Sequence, residues 1–358
     1  MQVDRKVDAV VLVGGKGTRL RPLTLSAPKP MLPIAGLPLL THLLSRIAAA
    51  GIEHVILGTS FKPAVFEQEF GDGSKLGLQI EYVTEPHPLG TGGGIANVVP
   101  RLRHDTVMVF NGDVLSGADP GQLLDYHRTN QADLTLHLVR VSDPRAFGCV
   151  PTDDGRVTAF LEKTQDPPTD QINAGCYVFT RETIDRVPRG RTVSVEREVF
   201  PALLTDGVKV CGYVDTSYWR DMGTPEDFVR GSADLVRGIA PSPALKGHRG
   251  EQLVHDGAAV SPGAVLIGGT VVGRGAEIGP GVRLDGAVIF DGVRIEAGSV
   301  IERSIIAFGA RIGPRALIRD GVIGDGADIG ARCELLRGAR VWPGVSIPDG
   351  GIRYSSDV

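Results

Sequence analysis

A step of six residues between aliphatic side chains governs the last hundred residues of the chain. Glycines and other small residues fill the gaps, as in VGRGAEIGPG, and the step shortens to five at some coil boundaries. The pattern predicts a parallel β-helix with three short strands per coil, whereas a β-sandwich with scattered glycines would show no fixed step. The aliphatic positions are Val260, Leu266, Val272, Ile278, Leu284, Ile289, Ile295, Ile301, Ile306, Ile312, Ile318, Ile323, Ile329, Leu335, Val341 and Ile347.

Each coil of such a β-helix is stable only when stacked, because neighbouring coils bury its aliphatic side chains. We therefore predict one continuous core of about five coils, a left-handed β-helix over 256–358. We assign it to packing and to assembly of a homo-oligomer. Residues 236–255 carry prolines, glycines and mixed charge, which is typical of a linker.

Residues 1–235 alternate between strand-like and helical patterns. The alternation predicts an α/β domain with a Rossmann-like, mixed but mainly parallel sheet. Ligands of such sheets bind beyond the carboxyl ends of the strands, so the loops starting at Gly14, Glu85 and Asn111 are the candidate sites. The predicted elements are the strands 7–13, 54–57, 80–83 and 107–110 and a helix over 39–50 that Gly51 ends.

Composition excludes several classes of protein. The net charge of −4 gives no general attraction to nucleic acid or to an anionic membrane. No apolar stretch approaches the ~20 residues that cross a bilayer, and the N-terminus lacks a signal-peptide pattern. The four cysteines form no CxxC pair, so we expect no zinc knuckle or disulfide framework and favour the reducing cytoplasm; they are Cys149, Cys176, Cys211 and Cys333.

The first candidate loop, GGKGTRLRPLT, leaves the first predicted strand and is followed by PKPM. Its glycines allow backbone N–H groups to approach phosphate oxygens closely, and four positive charges lie within fourteen residues: Lys16, Arg19, Arg21 and Lys29. A solvated basic loop is the alternative interpretation. The P-loop pattern GxxxxGK[ST] is absent and GxGxxG fails at Leu20, which disfavours a P-loop kinase or a Rossmann dehydrogenase.

Two further loops carry carboxylates. In EPHPLGTGGG, Glu85 offers acceptors for a base edge such as that of guanine, and Gly90 opens a predicted helix. In FNGD, Asp113 follows a buried strand, a position that suits a hard cation such as Mg²⁺. Each is also compatible with an ordinary turn. Further candidate ligands are Glu162 and Lys163 in FLEKT, Asn173 in INAGCYVF and Asp221 in YWRDMGTPEDF. Each of them is also compatible with an ordinary surface or turn residue.

Taken together and in this order, the motifs resemble those of the nucleoside-diphosphate-sugar pyrophosphorylases. The most similar branch is that of the GDP-mannose pyrophosphorylases (mannose-1-phosphate guanylyltransferases). The resemblance covers nearly the whole chain, from LVGGKGTRLRPLT and PKPM through FGCV and YWRDMGTPEDF to the β-helix. One departure is GTGG at Gly90 to Gly93, where the family pattern leads us to expect GTAG.

The resemblance implies GTP and mannose 1-phosphate as substrates and Mg²⁺ as cofactor. It implies Arg19, Lys29, Lys163 and Asp113 as catalytic residues and a metal held by Asp113 and Asp221. The implied nucleotide-binding set is Leu12, Gly14, Gly15, Gly17, Thr18, Arg19, Glu85, Gly90, Thr91, Asn111 and Asp113. The implied sugar-binding set is Gly148, Glu162, Lys163, Asn173 and Gly175.

The chemistry of such a reaction agrees with these residue types. The attacking phosphate oxygen is already ionised, so no general base is needed, and the catalyst must bring two anions together and neutralise the leaving pyrophosphate. Three alternatives stay open from sequence. In the first, the same reaction uses another pair of substrates, glucose 1-phosphate with UTP, dTTP or ATP. In the second, the chain is a catalytically silent regulatory subunit, and in the third it is a β-helical acyltransferase. The last is disfavoured because no histidine follows His255.

Overall fold

The computed structural model describes residues 6–60, 62–245 and 247–352. The chain divides into two compact units that are not contiguous in sequence. The first, here called the sheet unit, comprises Met1–Gly15 and Leu43–Trp219. The second, here called the repeat unit, comprises Lys16–His42 and Arg220–Val358. The loop that follows the first strand therefore clusters with the C-terminal repeats.

The sheet unit is built on one mixed sheet. From one edge, the main strands run in the order Gln79–Thr84, His54–Thr59, Asp8–Leu12, Thr106–Asn111, Gln171–Thr180, Leu134–Arg140 and Val210–Asp215. Six of these seven point the same way, and Gln171–Thr180 is antiparallel to both its neighbours. The short strands Thr152–Asp153 and Arg156–Val157 extend the far edge, and the short strand Gly148–Cys149 pairs with both Gln171–Thr180 and Leu161–Glu162. This confirms the predicted mixed, mainly parallel sheet.

Helices join these strands, and side-chain caps fix several of their starts. Asp119 accepts the backbone N–H of Gly121, and Thr180 accepts that of Thr183, which satisfies donors that the first helical turn leaves unpaired. The helices are Leu39–Ala49 (which crosses the division between the units), Pro63–Phe70, Gly90–Val98, Pro120–Thr129, Arg181–Asp185 and Phe200–Thr205, with a π-helical turn at Val195–Val199. Short 3₁₀ turns lie at Ser74–Leu76, Val99–Arg101 and Pro144–Ala146.

The core of the sheet unit is aliphatic, with an aromatic centre. The ring of Phe200 lies 5.0 Å from that of Tyr177 and 5.1 Å from that of Phe160, measured between centroids. Tyr177 and Phe200 are both at most 1% exposed. This packing fixes Gln171–Thr180, the antiparallel strand that carries Asn173 and Gly175.

The repeat unit begins with short elements around the glycine loop. They are the 3₁₀ turns Thr18–Leu20 and Lys29–Met31, the helix Leu23–Ser26 and the two-stranded hairpin Pro33–Ile34 and Leu37–Pro38. The helix Pro225–Val236 follows the sheet unit, with Thr224 as its N-cap, and Ser232 on this helix accepts the backbone N–H of Ala35. The predicted linker holds a 3₁₀ turn at Pro243–Leu245 and the first β-helical strand.

The C-terminal residues form three parallel sheets whose strands alternate along the chain. Aliphatic residues align in register from coil to coil, as in the column Val260, Ile278, Ile295, Ile312, Ile329 and Ile347. The strands are Gln252–Val254, Ala259–Val260, Val265–Ile267, Thr270–Val272, Glu277–Ile278, Arg283–Asp285, Val288–Ile289, Arg294–Ile295, Val300–Glu302, Ile305–Ile306, Arg311–Ile312, Leu317–Arg319, Val322–Ile323, Asp328–Ile329, Glu334–Leu335, Arg340–Val341 and Ser346–Ile347.

This arrangement confirms the parallel β-helix and is consistent with the predicted left hand. Thirteen of the sixteen predicted core aliphatics lie between Val272 and Val341, and these are all buried. At the open first coil, Val260 is 37% exposed because no coil covers it from the N-terminal side. Among the described residues, no helix has the length and apolar character required to cross a membrane.

Candidate active site

The three candidate loops follow parallel strands near one another in the sheet, Thr106–Asn111 next to Asp8–Leu12, and Gln79–Thr84 separated from Asp8–Leu12 by His54–Thr59. Glu85 donates its backbone N–H to the carbonyl of Thr59, and Gly112 donates to that of Leu12 (2.8 and 2.9 Å). Leu12 also pairs in register with Asn111. The starts of these loops therefore share one edge of the sheet, the carboxyl edge, where ligands of such sheets bind.

The glycine loop requires glycine for geometric reasons. Gly15 has a φ of +103° and Gly17 a φ of +54°, both in the region that favours glycine. A Cβ on Gly14 would lie 2.7 Å from the Ser60 hydroxyl oxygen. Within the repeat unit, the Thr24 hydroxyl donates to the Gly17 carbonyl at 2.8 Å, and Gly17 precedes the 3₁₀ turn that carries Thr18 and Arg19. Thr24 thus holds the loop from within, and positions 14 and 17 leave little room for a larger residue.

The repeat unit brings three of the predicted charged residues together. Lys29 Nζ lies 3.5 Å from Asp221 Oδ1, and Arg19 Nη2 lies 3.8 Å from Asp221 Oδ2. The Lys29 side chain is 9% exposed and that of Arg19 is 69% exposed. Gly223 makes this approach possible, since a Cβ there would lie 2.7 Å from Asp221 Oδ2. These distances are those of ion pairs rather than of hydrogen bonds.

In the sheet unit, Asp113 occupies the turn between the strands Thr106–Asn111 and Val114–Ser116 and is half-buried. Gly175 approaches Asn111 so closely that a Cβ would lie 2.8 Å from Asn111 Nδ2. Both line a small, mainly apolar cavity whose wall also contains the buried Arg46. Burial lowers the pKa of the Arg46 guanidinium to about 10, against the opposing influence of Cys176 and Asp119.

Glu85 lies where the chain enters the helix Gly90–Val98. Its Oε2 accepts the backbone N–H of Leu89 at 2.9 Å. A Cβ on Gly94 would lie 2.8 Å from Oε1, so Gly94 lets the helix pass close to this carboxylate. Burial raises the pKa of Glu85, although the hydrogen bond from Leu89 opposes the shift.

The glycines of this helix also pack against the segment around Val193. A Cβ on Gly90 would lie 2.6 Å from the Val193 carbonyl oxygen, and one on Gly92 would lie 2.8 Å from Val193 Cγ1. The second contact explains the GTGG departure, because alanine at position 92 requires a smaller or displaced neighbour. The Thr91 hydroxyl donates to Glu196 at 2.7 Å and accepts the Val195 backbone N–H.

Four of the five residues predicted to bind the sugar lie on neighbouring strands, and Lys163 lies in the turn that follows one of them. Glu162 pairs with Gly148 in register, and a Cβ on Gly148 would lie 2.9 Å from Glu162 Oε2. Lys163 follows with a φ of +52°, and its Nζ lies 3.6 Å from Glu162 Oε1. Asn173 accepts the backbone N–H of Gly175 at 3.0 Å.

Two aromatic side chains beside this set were missed from the sequence. Trp219 donates its indole N–H to the Ala174 carbonyl at 2.9 Å, and its ring meets Phe147 edge to face at 5.5 Å. Phe147 accepts the backbone N–H of Lys163. Phe147 lies in the motif FGCV and Trp219 in YWRDMGTPEDF, and their position inside these motifs was the signal available from the sequence.

A separate cluster lies at the opposite, amino edge of the sheet. His54 Nδ1 and His104 Nδ1 lie 2.6 and 2.8 Å from Asp8 Oδ1, and backbone N–H groups of Arg103 and His104 donate to Oδ2. Burial acts to raise the pKa of Asp8, but these hydrogen bonds outweigh it and the pKa is lowered. Two imidazoles and a carboxylate are a donor set more typical of zinc than of magnesium. Because this cluster lies at the edge of the sheet opposite to the candidate loops, it is not part of the candidate active site.

Comparison with known proteins gives consistent matches over both parts of the chain. The nucleotidyl transferase family model matches residues 8–238, and the GMPPB C-terminal domain model matches residues 248–350. The mannose-1-phosphate guanylyltransferase of Mycobacterium tuberculosis is 87% identical over 355 residues, 99% of each chain. Mannose-1-phosphate guanylyltransferase 1 of Arabidopsis thaliana is 31% identical, covering 85% of this chain and 87% of the plant protein.

Solved structures resemble the N-terminal part of the chain. The crystal structure of HddC from Yersinia pseudotuberculosis complexed with GMP-PN aligns with a TM-score of 0.56 and 28% identity. The alignment covers 64% of this chain and 99% of HddC.

Proposed function

Since the chain belongs to the nucleotidyl transferase family, we propose that it transfers GMP from GTP to α-D-mannose 1-phosphate, giving GDP-mannose and pyrophosphate. The observation that carries the proposal is the 87% identity to the M. tuberculosis mannose-1-phosphate guanylyltransferase across 99% of both chains. The cluster of Lys29, Arg19 and Asp221 supports it independently, because a reaction between two anions needs fixed positive charge.

The reaction forms one bond and breaks one. An ionised oxygen of the sugar phosphate attacks the α-phosphorus of GTP. The bond from the α-phosphorus to the bridging oxygen of the β-phosphate breaks, and pyrophosphate leaves with the electron pair. No proton is transferred at the nucleophile, so catalysis depends on alignment and on neutralising charge.

The glycine loop binds the triphosphate in this proposal. Gly14, Gly15, Gly17 and Thr18 present backbone N–H groups, and the exposed Arg19 side chain reaches a phosphate in a fork. Lys29 is nearly buried, so its ammonium is a fixed point charge for the reacting phosphates. Lys163, with an exposed side chain, holds the phosphate of the sugar.

Enzymes of this family generally use a divalent metal, and we assign Mg²⁺ to Asp113 and Asp221. The donor chemistry fits, since carboxylate oxygens are the hard ligands that this ion prefers. Lys29 and Arg19 approach Asp221 only at ion-pair distances of 3.5 and 3.8 Å. When bound, the cation would neutralise the triphosphate and the pyrophosphate that leaves.

Base and sugar are selected by separate groups. We assign Glu85 to the N1–H and amino group of guanine, with Leu12, Gly90, Thr91 and Asn111 around the nucleoside. Its remaining oxygen, Oε1, faces the side of the helix that Gly94 leaves open. Gly148, Glu162, Asn173 and Gly175 surround the mannose, and the edge-to-face pair Phe147 and Trp219 supports the same strands.

Assembly and location follow from other features. We propose a homo-oligomer that associates through the β-helix, whose first coil leaves Val260 and Val265 exposed. We also propose that the enzyme works in the cytoplasm. Its four cysteines are free thiols, which fits a reducing compartment.

The proposal is tested by following labelled oxygen. Purified protein is incubated with GTP, Mg²⁺ and mannose 1-phosphate that carries ¹⁸O in its phosphate, and the products are analysed by mass spectrometry. We expect GDP-mannose that retains all the label and pyrophosphate that contains none. Label in pyrophosphate would refute attack by the sugar phosphate, and the absence of GDP-mannose would refute the assigned activity.

A further inference from the structure

From Lys16 onward, the glycine loop belongs to the same compact unit as the β-helix, and a direct contact joins the two. Arg340 starts the strand Arg340–Val341. Its Nη1 donates to the backbone carbonyl of Arg19 at 2.9 Å and to that of Arg21 at 2.8 Å. The donor and acceptors are separated by about 320 residues of chain.

The backbone of Arg340 is well anchored. The next residue, Val341, points into the β-helical core and is 6% exposed. In register, Arg340 pairs with Val322 and Val341 with Ile323 of the preceding coil. Alternation along the strand therefore turns Arg340 outward on a rigid base.

The acceptors are the carbonyls that most need a donor. Arg19 lies within the 3₁₀ turn Thr18–Leu20, and Arg21 is its C-cap. The last carbonyls of a helical turn have no partner inside the turn, and they carry partial negative charge that a guanidinium satisfies well. Between them, the side chain of Leu20 is buried, so the backbone of the turn is fixed on both sides.

A second contact holds the other end of the same segment. His255, at the start of the β-helix, places Nε2 3.1 Å from the carbonyl oxygen of Ala35 in the hairpin turn. A Cβ on the neighbouring Gly36 would lie 1.8 Å from that nitrogen, so only glycine permits the contact. The two contacts enclose the stretch that carries Arg19 and Lys29.

We propose that Arg340 is a positioning residue for the triphosphate loop, through which the β-helix sets the geometry of Arg19. The inference rests on the proposed function, in which Arg19 binds a phosphate of GTP. Arg340 holds the backbone of the turn while the Arg19 side chain extends to solvent, ready for a ligand. A displacement of about 1 Å in such a group lowers rates about 100-fold.

The test compares three full-length variants, Arg340→Ala, Arg340→Lys and the control Arg311→Ala. Arg311 is another outward arginine of the β-helix and forms a surface ion pair with Glu296 at 3.8 Å. Hydrogen exchange of the amides between residues 17 and 26 reports on the loop without any reaction. Calorimetric binding of GTP and steady-state kinetics report on its use.

For Arg340→Ala we expect loop exchange about tenfold faster, with exchange elsewhere unchanged. We also expect the Kd and KM for GTP to rise about tenfold, while the KM for mannose 1-phosphate and the thermal midpoint stay near wild type. Arg340→Lys should recover part of the effect, and Arg311→Ala should behave as wild type.

Unchanged GTP binding and kinetics in Arg340→Ala would overturn the positioning role, even if loop exchange rose. A uniform loss of thermal stability, with kcat and both KM values affected alike, would also overturn it in favour of a structural role. If the wild-type protein turned over no substrate, the proposed function would fail instead. A tenfold rise in loop exchange with weaker GTP binding would then still support the positioning role.

Discussion

The β-helix and the sheet unit differ in how their residues are specified by the fold. In the β-helix, two- and three-residue strands repeat in register, and each core column adds the same kind of side chain to the same hydrophobic core. In the sheet unit, each loop differs from the next, and several glycines are required by a particular close neighbour, as Gly94 is by Glu85. The repeated coils of the β-helix therefore contribute mainly to stability. The candidate site residues lie in irregular loops, where each position has its own neighbours.

Most of the loop that binds the triphosphate in the proposed function belongs to the repeat unit. The glycine loop is remote from the repeats in sequence, yet it clusters with them and accepts hydrogen bonds from Arg340. We therefore expect substitutions in irregular loops to change turnover, and substitutions in repeated columns to change stability.

The largest loss of turnover without a loss of stability is expected at Asp113. Asp113→Ala removes a proposed metal ligand from a half-buried turn, and we expect turnover to fall about 1,000-fold while the fold is kept. Turnover at saturating Mg²⁺ and a thermal melt measure the two quantities, with Asp153→Ala as a control at an exposed carboxylate. Near-normal rates in Asp113→Ala would show that the metal assignment is wrong.

In the repeats we expect substitutions to lower stability and to leave turnover unchanged. Ile312→Ala opens a cavity at a fully buried position of a core column and should lower the free energy of unfolding by about 2–5 kcal/mol. Ile347→Ala, in the same column at the half-buried last coil, should lower it by about 1 kcal/mol. Urea unfolding measures both. The specific activity of the folded protein should be unchanged, and equal destabilisation by the two variants would argue against a continuous core.

Part of the acid sensitivity of the sheet unit should come from His127, which is buried in the helix Pro120–Thr129. Burial and the neighbouring Arg128 lower the pKa of His127 to about 4, and its Nδ1 lies 2.9 Å from the Thr135 hydroxyl. Below about pH 6.5 the unfolded chain binds a proton that the folded protein refuses. Stability therefore decreases as pH falls from about 6.5 to about 4, by about 3 kcal/mol in total from this group.

The variant His127→Gln isolates this contribution. It should lower stability at pH 7 but flatten the dependence between pH 6.5 and 4, as measured by urea unfolding at several pH values. A wild-type curve and a variant curve that stay parallel would contradict the assignment.

The last expected effect is the energetic coupling between one added methyl group and one neighbouring side chain. Gly92→Ala introduces a Cβ 2.8 Å from Val193 Cγ1, so overpacking should destabilise by about 1–3 kcal/mol. In a Val193→Ala background the same change should cost about 1 kcal/mol less, because its closest clash is gone. A double-mutant cycle of unfolding free energies measures the coupling. Strict additivity would mean that the departure from GTAG has another cause.

The sequence predicts the β-helix more completely than the sheet unit, because only the β-helix is periodic. A fixed step of six predicted the β-helical core from Val272 to Val341, since periodicity is a local signal. Four of the seven main strands of the sheet were also predicted, to within one or two residues, from runs of apolar side chains, whereas the three that follow Asn111 in the chain were not.

Contacts between distant residues carry no such signal. No pattern near residue 340 indicates that its side chain reaches the carbonyls of Arg19 and Arg21. The clustering of Asp8 with His54 and His104 was invisible for the same reason. The site residues were reached through a resemblance to known motifs rather than from local physics, and their roles stay predictions.

The central claim is that the irregular loops select guanine and mannose for a metal-dependent transfer. Its most direct test is pyrophosphate release from the purified protein with mannose 1-phosphate and each of GTP, UTP, dTTP and ATP, with and without Mg²⁺, and again with glucose 1-phosphate. The account predicts strong release only with GTP, mannose 1-phosphate and Mg²⁺ together. Release with another nucleotide would contradict the role of Glu85, and no release with any pair would mark the chain as a silent subunit.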